Sequence, residues 1–570
     1  MLRVIMQPAA DTAENFEGKD ARAPAEPAPP AEPAEPAETV SLSGAQAPDA
    51  SAAPSGGAAP APAIGIGRAA LLGVIGSGAG MVFTILRSKV TAIALGPDGI
   101  GKAAEILQIV TLGNLAATTI TGPALIGSLA EARGRGDHAA IARLVRAATT
   151  LVLIVSGVGG LLAVLAGFFI LPAPWGPRAF PLTLLAALAA LLTSWALIPQ
   201  QVLAAHLEIK QQTALRLLIA GIGTALTCAA TMLLGLTGQF VAAAIAAAIA
   251  LPLSFRIART RAPVPAAPAR AVDRAFLLRA LTIGGSALLS GYAIQGTLLV
   301  TRGALERHGG PRENGQFQAA WAIGTTYIAM LLDGAGSYTL PRYAAAATPE
   351  ALSAEMRAAE RFVVQTMIPV LFAAIVLRGL LVRALYDHRF DEAIELVGLQ
   401  LAGDVCKVVS WINVGPLLYR NKPKAFLAVE LPATLALGLL ALLLVPHLGV
   451  IGFGYAYIAV NAAYVVFSGI AVARSCGVPL DGRRVGLALL GTALAVLVIH
   501  LDRASPVTRW AVLALVAAYW HRTGVLARIA ARLRGKLAPI LGRSPGHAPT
   551  RPDHEGDDAD SRFPRAGRPR

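Results

Sequence analysis

"LAGDVCKVVSWINVGPLLYRNK", Leu401–Lys422, is long and apolar enough to cross a bilayer, yet it carries Asp404 and Lys407 near its middle. A charge at that depth costs about 3 kcal/mol on insertion scales and is kept only where it faces a bundle interior or a water-filled space. Asp404, Lys407 and Trp411 are spaced i, i+3, i+7, so they share one helical face. The acid and the base can pair within the helix, which lowers the cost of burying either. Two readings follow. The pair is a self-neutralised lock on helix packing, or it belongs to the polar wall of a central cavity. In the second reading Ser410 and Trp411 extend the wall by a turn, and Asp404 takes up a proton or a cation.

The rest of the chain places that helix among many others. Of 570 residues, 55% are hydrophobic and only 15% are charged, and mean hydropathy is +0.59. Soluble domains average about 25% charged residues. Apolar segments of the length a bilayer requires fall at 69–95, 104–130, 147–171, 180–203, 214–236, 239–256, 277–302, 317–341, 362–382, 393–418, 425–446 and 450–473, with two weaker ones at 485–501 and 507–521. The predicted fold is an all-α polytopic membrane protein. Two pseudo-symmetric six-helix bundles, 68–256 and 277–474, surround a central cavity, with an extra C-terminal helix pair at 485–521. A basic cytoplasmic linker, 257–276, joins the bundles. Residues 1–62, with "APAEPAPPAEPAEPAE", and 542–570 are too poor in apolar residues to build a core and read as a disordered arm and tail. Residues 524–541 repeat Leu and Ile at helical spacing with Arg and Lys off that face, as in an amphipathic helix on the inner leaflet or a cytoplasmic helix packed on the protein's own loops.

Net charge is +15. The basic residues fall between apolar segments, which argues for membrane orientation and against a nucleic-acid partner. With the N-terminus inside, the inner loops hold about twice as many Lys and Arg as the outer ones, so both termini are expected in the cytoplasm. Cys228, Cys406 and Cys476 form no spaced pair, which leaves no disulfide framework, metal site or cofactor to expect. No nucleotide-binding motif is present. The outer loops are short, and the most chemically loaded, "RALYDHRFDEA" at Arg383–Ala393, holds no catalytic constellation, so no enzyme is expected.

Other polar residues fall inside the apolar segments: Arg87, Lys89, Gln108, Asn114, Gln295, Arg302 and Asp333. For Arg87, Lys89 and Arg302, snorkelling to the interface is an alternative to a cavity role. The planar guanidinium of Arg87 or Arg302 suits phosphate oxygens.

A second stretch, "GQFQAAWAIGTTYIAMLLDGAGSYTLPR" at Gly315–Arg342, carries a resemblance. With "LVTR" at Leu299–Arg302, its Gln318, Ala319, Trp321, Tyr327 and Ser337-Tyr338-x-Leu340-Pro341-Arg342 resemble Wzx-type translocases. Gly403, Asp404, Lys407, Ser410 and Trp411 resemble the same family, as does "SKVTAIALGPDGIG" at Ser88–Gly101. Ala322 departs from it, where a basic residue is usual, and so does Asp333, where a neutral one is. The family belongs to the multidrug/oligosaccharidyl-lipid/polysaccharide (MOP) transporter superfamily. The resemblance implies an inner-membrane flippase for undecaprenyl-diphosphate-linked glycan units such as O-antigen, working by alternating access. It implies that Arg87 and Arg302 contact the diphosphate and that Trp321, Tyr327 and Trp411 stack on sugars. Asn114, Gln295 and Gln318 would add to the cavity wall, and Asp404 or Asp333 would couple to H+ or Na+. The lipid bilayer and polysaccharide polymerase or export proteins are the implied partners. A lipid II-type flippase or a multidrug/cation exporter of the same superfamily is the alternative.

Overall fold

The computed structural model describes residues 66–120, 122–170, 179–264, 274–325, 339, 342–420, 422–525 and 527. Tyr327, Asp333, the arm at 1–62, the tail at 542–570 and nearly all of 524–541 lie outside them. Among the described residues there is no strand. The helices are α1 Ile66–Ile120, α2 Pro123–Gly134, α3 His138–Ile170, α4 Ala179–Ala205, α5 Ile209–Arg261, α6 Arg274–Ile323, α7 Pro349–Phe362, α8 Ile368–Val376, α9 Arg378–Leu385, α10 Ala393–Tyr419, α11 Pro423–Leu448, α12 Val450–Cys476, α13 Gly482–Ala504 and α14 Val507–Arg522.

Three of these are hairpins of two helices broken at a single glycine. The breaks are at Gly96 in α1 (φ 64°), Gly235 in α5 (φ 60°) and Gly310 in α6 (φ 70°). A residue with a Cβ is strained at such φ. Pro97 and Pro311 follow two of the breaks and start the next helix, since proline needs no N–H partner in a first turn. Gly449 makes the corresponding turn between α11 and α12 (φ 61°).

These turns expose a repeat that a search for overall similarity between the halves passes over. Gly96-Pro97-x-x-x-Gly101 in the first bundle matches Gly310-Pro311-x-x-x-Gly315 in the second, and Gly235-x-x-Gly238 matches Gly449-x-x-Gly452. The first pair also meets in space. A Cβ on Gly101 would lie 1.9 Å from the Pro311 carbonyl oxygen, and one on Gly315 would lie 2.0 Å from that of Pro97. The two hairpins therefore cross backbone to backbone, each glycine seated on the other's proline. Further along, Gln108 of α1 donates to the Gln295 carbonyl (2.9 Å) and side chain (2.8 Å) of α6. Leu115 then packs on Gly291 and Thr119 on Gly284. The two bundles are in contact along these helices.

Among the described residues eight helices are long and apolar enough to cross a membrane, and the chain is a multi-pass membrane protein. Neither α6 nor α10 counts among the eight. They carry Arg302 and the Asp404–Lys407 pair, and both residues of deepest charge, Arg302 and Asp404, are buried by neighbouring helices. The ninth expected segment, 362–382, begins earlier than hydropathy suggests. Thr348 caps α7 by accepting from the Ala351 N–H (3.2 Å), and helical structure runs on through a π-helical turn, Val363–Met367, into α8.

The last pair, α13 and α14, is pinned to the second bundle by buried charge. Arg378 meets Asp502 at 2.9 Å with both side chains under a tenth exposed, and Arg484 meets Glu360 at 3.0 Å. The Cys406 thiol and the Thr492 hydroxyl lie 3.1 Å apart, so α13 packs directly on α10. The Trp520 indole of α14 donates to the Gln365 carbonyl inside the π-helical turn (3.1 Å), where the ladder leaves such a group free.

Candidate functional site

Some of the interior polar groups line two cavities. The second bundle holds one of about 370 Å³, lined by Ile294, Trp321, Lys407, Trp411, Glu430 and Tyr457 among others. Lys407 and Trp411 are one turn apart on α10, so helical spacing alone delivers both to this wall. Asp404 stands behind it, 1% exposed. The link is Tyr457 of α12, whose hydroxyl donates to Asp404 Oδ1 (2.7 Å) and accepts from Lys407 Nζ (3.0 Å). Lys407 and Asp404 themselves are 4.0 Å apart, so the acid and the base act through the phenol more than directly. Gly403 makes this possible, since a Cβ there would lie 2.6 Å from the Tyr457 ring. Trp321, Phe317, Phe453 and Tyr457 pack edge to face and stacked at 4.9–6.3 Å between ring centres. Glu430 accepts from the Tyr464 hydroxyl at 2.5 Å on the same cavity.

A second cavity, of about 360 Å³, is formed mostly by the first bundle and closed by the second. Thr84, Arg87, Thr91, Thr227 and Gln239 line it from α1 and α5, and Gln318 and Tyr386 from the other bundle. Arg87 is exposed. Gln318 and Trp321, less than one turn apart on α6, thus face different cavities.

The remaining sequence-selected residues are engaged in packing. The Asn114 amide donates to Ser194 (2.7 Å) and its carbonyl accepts from Ser156 (2.7 Å), which ties α1 to α3 and α4. Gln295 bonds Gln108 across the bundles. Ser410 donates to the Cys406 carbonyl of its own helix (2.9 Å). Arg302 is 2% exposed. Its guanidinium donates to Asn314 (2.7 Å) and to Gln318 and lies 5.1 Å from the centre of the Phe317 ring. In this conformation it lines neither cavity. Lys89 reaches across to the carbonyls of Arg383 (2.6 Å) and Tyr386.

Sequence reasoning missed Tyr457, Asn461, Tyr464 and Glu430. A signal was present. Tyr457, Asn461 and Tyr464 are spaced i, i+4, i+7 in an apolar helix, one polar face, and Glu430 is a lone acid in another.

No family model and no curated protein sequence matches the chain. Solved structures do. An inward-facing multidrug resistance MATE family transporter of the MOP superfamily aligns over 69% of this chain and 94% of its own, at TM-score 0.56 and 16% identity. A MOP superfamily transporter from Pyrococcus furiosus with a binding pocket of reversed polarity aligns over 74% and 96%, at 0.54 and 16%. The lipid II flippase MurJ, inward closed, aligns over 81% and 99%, at 0.59 and 11%. At these identities the likeness is one of fold. The chain has the fold of MOP-superfamily transporters, and these neighbours are transporters and a flippase, not enzymes.

Proposed function

We propose that this protein flips undecaprenyl-diphosphate-linked glycan units from the cytoplasmic to the periplasmic leaflet of a bacterial inner membrane. The two bundles rock about their common contact, and the polyprenyl tail stays in lipid. The observation that carries this reading is the second-bundle cavity. Trp321, Trp411 and Tyr457 present aromatic surface, and Lys407, Glu430 and Asn461 present hydrogen-bonding groups beside it. Sugar rings need that pairing, an apolar face to stack on and polar groups for the hydroxyls. Arg87, exposed on the other cavity, takes the diphosphate, and Arg302 joins it only when the Asn314–Gln318 network opens. The sequence motifs at Gly315–Arg342 and Gly403–Trp411 support the same class of substrate.

The docked α13–α14 pair favours a second reading, a lipid II-type flippase, because the MurJ likeness spans more of the chain than the others. Mass spectrometry of lipid-linked saccharides in a strain lacking the protein separates the two. We expect an undecaprenyl-diphosphate oligosaccharide to accumulate. A peptidoglycan precursor would select the second reading, and accumulation of neither would remove both. Topology reporters at Gly309 and at Arg259 or Lys424 should report periplasm and cytoplasm respectively; the reverse would undo the direction of transport.

A further inference from the structure

Two acids that the sequence reading passed over lie beside Arg302. Glu105 is on the second limb of α1 and is 3% exposed, and its Oε2 has no hydrogen-bond partner. Glu306 is one turn from Arg302 on α6, and its Oε2 is also unpartnered. Glu105 lies within electrostatic reach of both Arg302 and Glu306. Arg302 cannot turn to serve both acids, because Asn314, Gln318 and the Phe317 ring hold it. Asn314 is itself tied across the bundles to the Gly101 carbonyl (3.2 Å). Glu105 therefore faces one fixed guanidinium where water is excluded, with the half-buried Glu306 within its reach, and the set carries one surplus negative charge. One bound proton removes it.

Lys102 and Asp98 of α1 lie toward Glu306 and, being of opposite sign, leave that surplus unchanged. Arg87 lines the adjoining cavity with Ala103 and Ala104. From α3, α4 and α5, Ala163, Leu182, Ala187 and Phe240 bring apolar groups to the core around Ile106. His308 and Glu313 lie at the α6 turn, toward each other. Among the described residues no cluster of three or more acids, His or Cys is arranged to hold a metal ion, so the orphan carboxylate oxygen of Glu105 is suited to a proton.

The location gives the proton a consequence. Glu105 belongs to the first bundle and Arg302 and Glu306 to the second. All three lie just beyond the crossing where Gly101 rests on Pro311 and Gly315 on Pro97. We propose that the Glu105–Glu306 pair, held against Arg302, binds one proton when the bundles are closed at this crossing and releases it when they part. This rests on the rocking motion of the proposed function but not on its glycan substrate. It differs from ion coupling at Asp404, which lies wholly within the second bundle.

The test needs no glycan. Hydrogen–deuterium exchange is followed in nanodiscs between pH 5.5 and 8.5, on peptides spanning 96–101 and 310–315, with intrinsic exchange corrected for pH. In the parent protein protection should fall about tenfold as pH rises, because deprotonation restores the buried surplus charge and favours opening. Glu105→Gln, and independently Glu306→Gln from the other bundle, should keep the low-pH protection throughout. Glu105→Asp should retain the dependence, and so should His308→Gln. A flat parent profile would overturn the proposal, as would an unchanged dependence in Glu105→Gln or its loss in His308→Gln. Dependence on Na+ at fixed pH, in place of pH, would overturn the proton assignment. Failure of the glycan reading would leave all of these outcomes readable.

Discussion

The two bundles share a fold but differ in how deeply they bury their helices. In the second, one continuous core runs from Leu298 to Ile499 and takes in α10 along most of its length. In the first, the core is broken into smaller clusters, one around Leu129 and Ile198, one around Ile106 and Phe240, and one of alanines. Its helices approach instead through small residues. Gly113 and Gly159 are so close that a Cβ on either would strike the other's carbonyl oxygen, at 2.3 Å and 1.8 Å. Large side chains such as Phe169 and Leu233 are left outside, at 80% and 82% exposure. The difference follows from α13 and α14. α13 adds a layer over the Val405–Cys406 face of α10 that the first bundle lacks, and with it the second bundle encloses Arg378–Asp502 and Arg484–Glu360, while Asp404 is enclosed on the other face by Tyr457 of α12. A charge is tolerated in a membrane protein where protein surrounds it and partners are at hand. The first bundle buries one acid, Glu105, at its contact with the second and otherwise uses glycine contacts and the neutral Asn114 clamp.

The largest effect should come where the bundles are alike. Gly101→Ala and Gly315→Ala each drive a methyl group into a backbone carbonyl that cannot move aside, costing about 3 kcal/mol or forcing the crossing apart. Thermal unfolding in detergent should show both variants as strongly destabilised, while Gly127→Ala, with nothing within 4 Å of its Cβ, is not. A large effect at only one of the two positions would break the pseudo-symmetric contact.

Next comes the polar relay of the second bundle. Tyr457→Phe removes the hydroxyl shared by Asp404 and Lys407, and Asp404 keeps no hydrogen bond, since its Oδ2 already has none. The expected cost is about 2 kcal/mol. Asp404→Asn should leave a folded protein with poor surface glycan display, and adding Lys407→Met should not restore it. Full display in the double variant at parental abundance would make the pair a packing lock.

Asn114→Ala tests the first bundle's neutral counterpart. Two hydrogen bonds are lost, and destabilisation of about 1–2 kcal/mol is expected, without a change in pH dependence. If Asn114→Ala costs more than Tyr457→Phe, the contrast in burial has been misjudged.

The smallest effect is at the turn end, where the second bundle caps the first. Arg389 donates to the carbonyls of Ala92 (3.0 Å) and Ile93 (2.8 Å), the last turn before Gly96, where a cation is favoured. Asp387 holds it at 2.8 Å. Burial alone would push the Asp387 carboxyl up, but the bonds from Arg389 and the His388 N–H outweigh it and hold it below its ordinary value. A depressed carboxyl contributes stability at neutral pH that is lost as pH falls through its folded value. Exchange at 92–96 should therefore rise on acidification below the ordinary aspartate range in the parent protein, and Asp387→Asn should flatten that rise. An identical acid response in the variant would remove Asp387 from the contact.

Much of the fold was legible in the residues because its signals are local. Apolar length makes a membrane helix wherever it occurs, and helical period alone puts Asp404, Lys407 and Trp411 on one face. The Gly96-Pro97 and Gly310-Pro311 pairs fall in gaps between expected apolar segments, which marks them only as breaks. Their pairing into a repeat depends on which two backbones cross. The site was less legible for the same reason. Ser410 shares the polar stretch of α10, yet its hydroxyl is taken by the Cys406 carbonyl. Arg302 has the chemistry for a phosphate, yet Asn314, Gln318 and Phe317 enclose it, and Glu105, from another helix, lies within its electrostatic reach. Tyr457 lies 53 residues from the aspartate it serves. Periodicity determines which side chains share a face of one helix. Which helix that face meets, and so whether a charge finds cavity, lipid or a partner, is settled only by how the helices cross.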